Sequence, residues 1–294
     1  MFKNILVHIP SERPIRPLID VAVSLAVTRR AHLDAVAIGY ESMSTVGMVV
    51  EGGSAAVAAV MNDEQEQALE RANAAIAVFE IEAKLADVTY GTRALSAVPA
   101  EADKVVGELS RLYDLTVVLQ PDSSVPGYDN MIPQGVLFNS GGPMLMVPYI
   151  HKGPLDVHHI GIAWDGSRLA ARALRDALPF LSTAQAVTVI AVNEDRQNPS
   201  EVSSDKVVGH LARRGVKARI KRLSADRDNV QGTILSIAAD SDIGLLAMGG
   251  YGHSRFKERF LGGVTRSTLE SMTIPVLMSH GRASLRSGKR YSYP

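Results

Sequence analysis

The chain has 294 residues, 46% of them hydrophobic and 21% charged, which is the size and composition of about two globular domains. Basic and acidic residues number 31 each and aromatic residues are few, so neither nucleic acid nor an anionic membrane is an expected partner. The absence of cysteine excludes disulfides, thiolate metal sites and cysteine nucleophiles. No apolar run approaches the roughly 18 residues that cross a bilayer, and the N-terminal segment lacks a signal-peptide pattern. We therefore expect a soluble, cytoplasmic protein.

The first half of the chain alternates short apolar runs with stretches of helical periodicity. An irregular stretch at 41–61 interrupts this alternation and precedes a long helix that ends near residue 86. The pattern predicts strands at 5–9, 33–40, 88–95, 115–119 and 144–147, and further helices at 15–30 and 99–112.

The same plan restarts near residue 159. The second half is predicted to have strands at 159–164, 186–192, 216–223, 243–248 and 275–278, and helices at 168–181, 201–214, 230–239 and 264–270. Strands that alternate with helices indicate a parallel sheet with right-handed crossovers. The predicted fold class is therefore α/β, with two tandem Rossmann-like domains that each have a five-stranded parallel sheet and helices on both faces.

Short sequence echoes support a duplication. The strand beginning at Asn4 matches that at His159, the strand after Asp114 matches that after Asp242, and Pro143-Met-Leu-Met matches Pro275-Val-Leu-Met. The offset falls from about 155 to about 132, so the first copy is roughly 23 residues longer, and 41–61 is the predicted surplus. We predict domains at 1–150 and 151–280, followed by a flexible basic tail at 281–294.

Ligands of an open parallel sheet bind at the carboxyl ends of its strands, where the winding changes direction. In the second half these ends carry Asp165, Val192 and the segment that begins Met248-Gly249. The Asp165 carboxylate can accept hydrogen bonds from a ribose, and the Val192 backbone can face an adenine edge. These positions predict a nucleotide site.

Glycines dominate the segment after the fourth strand of the second half. Gly249 and Gly252 permit a close approach of backbone N–H groups to a ligand. Gly262 and Gly263 precede the helix predicted at 264–270, whose N-terminus favours an anion, and Thr265 can add a hydroxyl donor. Glycine spacing alone is equally compatible with a surface loop and a tight helix entry.

The spacing Gly-two residues-Gly-nine residues-Gly resembles the ATP-binding loop of the universal stress protein family. Ala163-Trp-Asp-Gly-Ser and the stretch from Ser241 to Arg255 are also typical of that family. Because the plan occurs twice, the resemblance is to tandem, two-domain members. It implies nucleotide contacts at Asp165, Val192, Gly249, Gly252, Gly262 and Thr265, and the predicted site also includes their motif neighbours Met248, His253, Gly263 and Val264.

The resemblance implies binding of ATP, AMP or ADP, with Mg²⁺ carried by the phosphates, and a role in stress response. Gly263 departs from the family loop, which has a hydroxyl residue there, so one phosphate hydrogen bond worth about 1.5–3 kcal/mol is missing. The first copy is predicted to lack such a site, because Pro10 replaces the aspartate and Pro121 and Ser124 take the places of Gly249 and Gly252.

Other chemistry finds little support in the sequence. The histidines lack ligand spacing, so no metal site is predicted. No nucleophile motif is present, so we expect no catalytic residues, although weak ATP hydrolysis stays open. The alternative function is an interaction scaffold that binds no nucleotide. The fifth strands are the predicted interface of a pseudo-dimer within the chain, and a homodimer of whole chains stays open.

Overall fold

A computed structural model describes residues 2–41, 55–197, 200–226, 229–250 and 271–281. Within these ranges the strands alternate with helices in the order that the periodicity predicts, apart from one helix between the fourth and fifth strands that it did not predict. The strands are β1 (Asn4–Ile9), β2 (His32–Tyr40), β3 (Tyr90–Ala97), β4 (Leu115–Leu119), β5 (Met144–Val147), β6 (His159–Ala163), β7 (Ala186–Val192), β8 (Ala218–Leu223), β9 (Leu245–Gly249) and β10 (Val276–Ser279).

The described ranges contain seven α-helices, and the second of them is much longer than the others. They are α1 (Arg16–Arg29), α2 (Ala55–Leu85), α3 (Pro99–Leu109), α4 (Ile132–Asn139), α5 (Arg168–Leu181), α6 (Ser204–Ala212) and α7 (Val230–Asp240). Short 3-10 turns cover Ser110–Leu112 and Tyr128–Met131. None of these helices is both long and apolar enough to span a bilayer.

The described strands form one continuous sheet in the order β3-β2-β1-β4-β5-β10-β9-β6-β7-β8. Each half contributes five parallel strands, and the halves meet where β5 pairs antiparallel with β10, centred on Leu145 and Leu277. The strand order therefore reads the same from either edge. This confirms the predicted fold class, and the pairing satisfies backbone groups that two separate sheets would leave at open edges.

The core lies on both faces of the sheet. Along β1, Ile5, Val7 and Ile9 belong to one buried cluster while Leu6 belongs to the other. The same alternation explains why the central strands are continuously apolar, since both of their faces are covered. Both clusters run across the β5–β10 junction, so the two halves share one hydrophobic interior.

The extra length of the first half lies between β2 and β3. Residues 41–89 make that connection, whereas residues 193–217 make the equivalent one in the second half. The prediction of an irregular stretch at 41–61 is wrong from Ala55 onward, because α2 begins there. A Cβ on Gly39 would lie 1.8 Å from the Ala68 carbonyl oxygen, so glycine is what lets α2 pack this closely on β2.

The hydrogen-bond register corrects one of the sequence echoes. The Asp114 N–H donates to the Asn4 carbonyl, and the Gly244 N–H makes the equivalent bond to His159. Asp114 therefore corresponds to Gly244 and not to Asp242. The two-residue shift arises because apolar runs of similar composition align equally well at neighbouring offsets, whereas backbone pairing allows only one.

The same register corrects the comparison of the two loops that follow β4 and β9. Leu119 stands where Gly249 stands in the second half, and not Pro121, whereas Gly252 lies outside the described residues. Sequence periodicity also missed α4, whose eight residues are too few to show a helical repeat.

Candidate functional site

The structure brings four of the predicted site residues to one edge of the sheet. β6 pairs with β7 on one side and with β9 on the other, so Asp165, Val192, Met248 and Gly249 meet at the carboxyl ends of three adjacent strands. The winding reverses between β6 and β9, which is where ligands of open α/β sheets bind. The remaining predicted residues lie outside the described ranges, namely Gly252, His253, Gly262, Gly263, Val264 and Thr265.

Asp165 lies in the turn that leads from β6 into α5. One carboxylate oxygen accepts the Ser167 N–H at 2.9 Å, and Gly166 has a φ of 72°. Ser167 in turn caps α5, because its hydroxyl accepts the Ala170 N–H at 3.1 Å. The Asp165 side chain is exposed to solvent. A fixed, exposed carboxylate at this crevice is suited to accept hydrogen bonds from hydroxyl groups of a ligand.

Gly249 has a packing role that the sequence did not reveal. A Cβ at this position would lie 2.7 Å from the Leu169 carbonyl carbon and 2.8 Å from the Ala170 nitrogen. The first turn of α5 therefore rests directly on the end of β9. Beside it, Met248 is buried and Val192 is half-buried. These residues form the apolar floor of the edge on which Asp165 stands.

A polar network beside this edge was missed by the sequence analysis. Glu194 accepts hydrogen bonds from the Ser204 N–H at 2.6 Å and from the Arg222 guanidinium at 2.9 Å. Arg222 also pairs with Asp205 at 2.5 Å. Burial acts to raise the pKa of Glu194, but the hydrogen bonds from Ser204 and Arg222 outweigh it and leave that pKa lowered. The network ties the ends of β7 and β8 to the start of α6.

Trp164 anchors the segment that precedes α6. Its indole Nε1–H donates to the Val202 carbonyl oxygen at 2.8 Å. The ring itself is buried, and it follows β6 directly, next to Asp165. The rim of the edge is therefore braced on this side by a hydrogen bond that spans 38 residues of sequence.

The equivalent edge of the first half is filled by the chain itself. Asp129 accepts a hydrogen bond from the Tyr40 hydroxyl at 2.7 Å and another from the Glu12 N–H at 3.0 Å. Asp129 and Tyr40 are each only 5% exposed. Burial raises the pKa of Asp129, although the hydrogen bonds from Tyr40 and from the Glu12 and Ser11 amides act to lower it.

Further hydrogen bonds hold the loop that carries Asp129 against the sheet. Arg13 donates to the Gln120 carbonyl at 2.6 Å and to Asn130 Oδ1 at 3.1 Å. The Asn130 amide donates to the carbonyl oxygens of Asp122 and Val125. This half therefore presents a folded, internally bonded loop at its sheet edge, whereas the segment that follows β9 in the second half lies outside the described residues.

His8 is buried beneath this loop, and burial lowers its pKa to about 3. Its Nε2 lies 3.8 Å from Asp129 Oδ1 and has no hydrogen-bond partner within the described part of the chain. The imidazole is therefore neutral at physiological pH. Nowhere in the described ranges do three or more His, Asp or Glu side chains cluster as metal ligands would.

The second half of the chain, which contains this edge, is similar in sequence to a known protein family. Residues 157–280 match the model of the universal stress protein family. No curated protein matches the chain. The match covers the whole of the edge formed by β6, β7 and β9.

Solved structures extend the likeness to the full chain. A universal stress protein from Archaeoglobus fulgidus superimposes with a TM-score of 0.63 at 13% identity, covering 94% of this chain and 96% of that one. A candidate universal stress protein from Pseudomonas aeruginosa UCBPP-PA14 gives 0.57 at 15% identity, covering 95% and 93%. A functionally unknown protein from P. aeruginosa PAO1 gives 0.56 at 14%, with the same coverage. At such identities the likeness concerns the fold.

Proposed function

We propose that the chain is a universal stress protein whose second half binds an adenine nucleotide at the edge formed by β6, β7 and β9. Residues 157–280 match the family model, and the fold of the chain is similar to that of solved universal stress proteins. The observation that carries the proposal is the exposed carboxylate of Asp165, fixed at the point where the sheet winding reverses. A ribose hydroxyl is the ligand group that such a carboxylate recognises.

Each part of the nucleotide is assigned to the residues at this edge whose chemistry suits it. Asp165 accepts from the ribose, and the half-buried end of β7 at Val192 offers backbone groups and apolar contact to the base. The phosphates fall to the glycine-containing segment 249–265 and carry any Mg²⁺, since no cluster of metal-ligating side chains occurs in the described residues. The described residues of this edge, Asp165 and Val192, offer groups suited to binding. We propose a cytoplasmic, non-catalytic nucleotide-binding role in stress response.

The two halves differ in this role. We propose that they pair as a pseudo-dimer through β5 and β10 and that only the second half holds nucleotide. The folded loop around Asp129 favours a scaffold role for the first half. Whole chains that dimerise would have to use other surfaces, since the edges of β5 and β10 are already paired with each other.

Isothermal titration calorimetry of nucleotide-free protein with ATP, with and without Mg²⁺, tests the proposal. We expect Asp165→Ala to weaken binding about 10-fold or more, since a hydrogen bond to a charged group contributes about 1.5–3 kcal/mol. Gly252→Val should abolish binding by blocking the approach of phosphate to the backbone.

Asp240→Ala is the matched control, because Asp240 is an exposed aspartate of the same half at the C-terminal end of α7. It should bind ATP as the wild type does. If nucleotide-free wild-type protein binds neither ATP, ADP nor AMP, the proposal is wrong and the scaffold function takes its place.

A further inference from the structure

The turn after β1 and the end of β2 both donate to a single buried acceptor. The Glu12 N–H donates to one carboxylate oxygen of Asp129 at 3.0 Å. The Tyr40 hydroxyl, at the end of β2, donates to the other oxygen at 2.7 Å. Two donors from neighbouring strand ends thus converge on one carboxylate.

The strand register identifies what this turn corresponds to in the second half. Ile5 is equivalent to Ile160, so Pro10 stands at the place of Asp165 and Glu12 at that of Ser167. In the second half the Ser167 N–H bonds to Asp165, two residues away. In the first half the corresponding N–H bonds to a carboxylate 117 residues away along the chain.

Hydrogen bonds on both sides of Asp129 hold its loop against the turn after β1. The Tyr128 N–H donates to Glu12 at 2.9 Å, and Arg13 holds Asn130 and Gln120 as described above. Asp129 is thereby inserted into the crevice between the ends of β1 and β2. The neighbouring His8 is more than nine-tenths buried, and its Nε2 has no hydrogen-bond partner among the described residues. The crevice therefore contains one polar atom to which Asp129 does not hydrogen-bond.

We propose that the donors of Glu12 and Tyr40 form an anion-binding site in the first half, and that the Asp129 carboxylate is its built-in occupant. The site takes a small carboxylate, which a backbone amide and a hydroxyl hold through charge-assisted hydrogen bonds. The first half is closed to external ligands because its own loop supplies the anion. This proposal does not depend on nucleotide binding by the second half.

Chemical rescue tests the proposal. Asp129→Gly removes the carboxylate and leaves space for formate, whose single carboxylate matches the lost group. We expect the variant to melt at a lower temperature than the wild type, and sodium formate to raise its Tm by about 5 °C or more relative to sodium chloride at equal ionic strength. A variant that is unfolded in chloride and gains its circular dichroism signal in formate supports the proposal equally.

Two controls separate site occupancy from a general salt effect. Asp129→Asn fills the same space, so formate should raise its Tm no more than it raises that of the wild type. Asp63→Ala removes an exposed aspartate of α2 and should show no formate dependence. The proposal is overturned if formate fails to stabilise or fold Asp129→Gly, or if it stabilises the Gly and Asn variants equally.

Discussion

The two halves share one topology but differ in the environment of an aspartate at the carboxyl ends of their strands. In the second half, Asp165 is exposed at the winding reversal and its turn is satisfied locally by Ser167. In the first half, Asp129 is buried and is satisfied by Tyr40 and by the turn after β1. Within the described residues, the carboxylate at the winding reversal is therefore exposed in the second half, whereas a buried side chain fills the corresponding edge of the first half.

The largest effect in this comparison is expected at Gly39. Its place in the second half is taken by Asn193, which has a φ of 57°, whereas Gly39 lies under α2. A Cβ at Gly39 would overlap the Ala68 carbonyl oxygen, so Gly39→Val should lower the free energy of unfolding by roughly 3 kcal/mol or more. Urea denaturation measures this loss.

Gly209→Ala provides the control for that substitution, because a Cβ there meets nothing closer than 3.8 Å and helices favour alanine. Its stability should equal or exceed that of the wild type. A Gly39→Val variant of unchanged stability would show that α2 shifts freely on the sheet.

The next effect concerns the hydroxyl that holds Asp129. Tyr40→Phe leaves the buried carboxylate without one of its donors and should cost about 1.5–3 kcal/mol of unfolding free energy. Tyr128→Phe is the matched control, because Tyr128 packs on Tyr40 at 5.2 Å but is 42% exposed. Equal losses in the two variants would mean that the Tyr40 hydroxyl contributes no more to stability than an exposed hydroxyl, and that its bond to Asp129 does not stabilise this edge.

The smallest effect is a pH dependence of opposite sign at the two edges. The raised pKa of Asp129 means that the folded state binds its proton more tightly, so this contribution to stability is present at low pH and is lost as pH rises from about 4 through the folded pKa. The lowered pKa of Glu194 contributes stability above its ordinary value, and this is lost as pH falls through the folded pKa.

Denaturation between pH 3 and 7 of the wild type, Asp129→Asn and Glu194→Gln measures both contributions. The stability of the wild type relative to Asp129→Asn should fall with rising pH, and relative to Glu194→Gln it should rise. The same slope in both comparisons would contradict the assignment of a buried carboxylate to one edge and an ion-paired one to the other.

Sequence reasoning recovered the parts of this protein that short-range patterns report. The strands near Ile5 and Ile160 are apolar on both faces, and their order with the helices indicates parallel halves. Asp165 was identified because it follows a buried strand and precedes a helix cap, all within five residues. The surplus of the first half was assigned to the correct connection, but α2 was started too late because its alanine-rich first turns carry little amphipathic signal.

By itself, then, the sequence determined the duplicated α/β plan and the edge on which Asp165 stands, since burial and helix capping leave a periodic trace in neighbouring residues. Only the tertiary structure decided the strand register, the joining of β5 to β10, and the places of Asp129 and Glu194. Those features depend on hydrogen bonds between residues that are far apart along the chain, and no local spacing specifies which distant donor a buried carboxylate will meet.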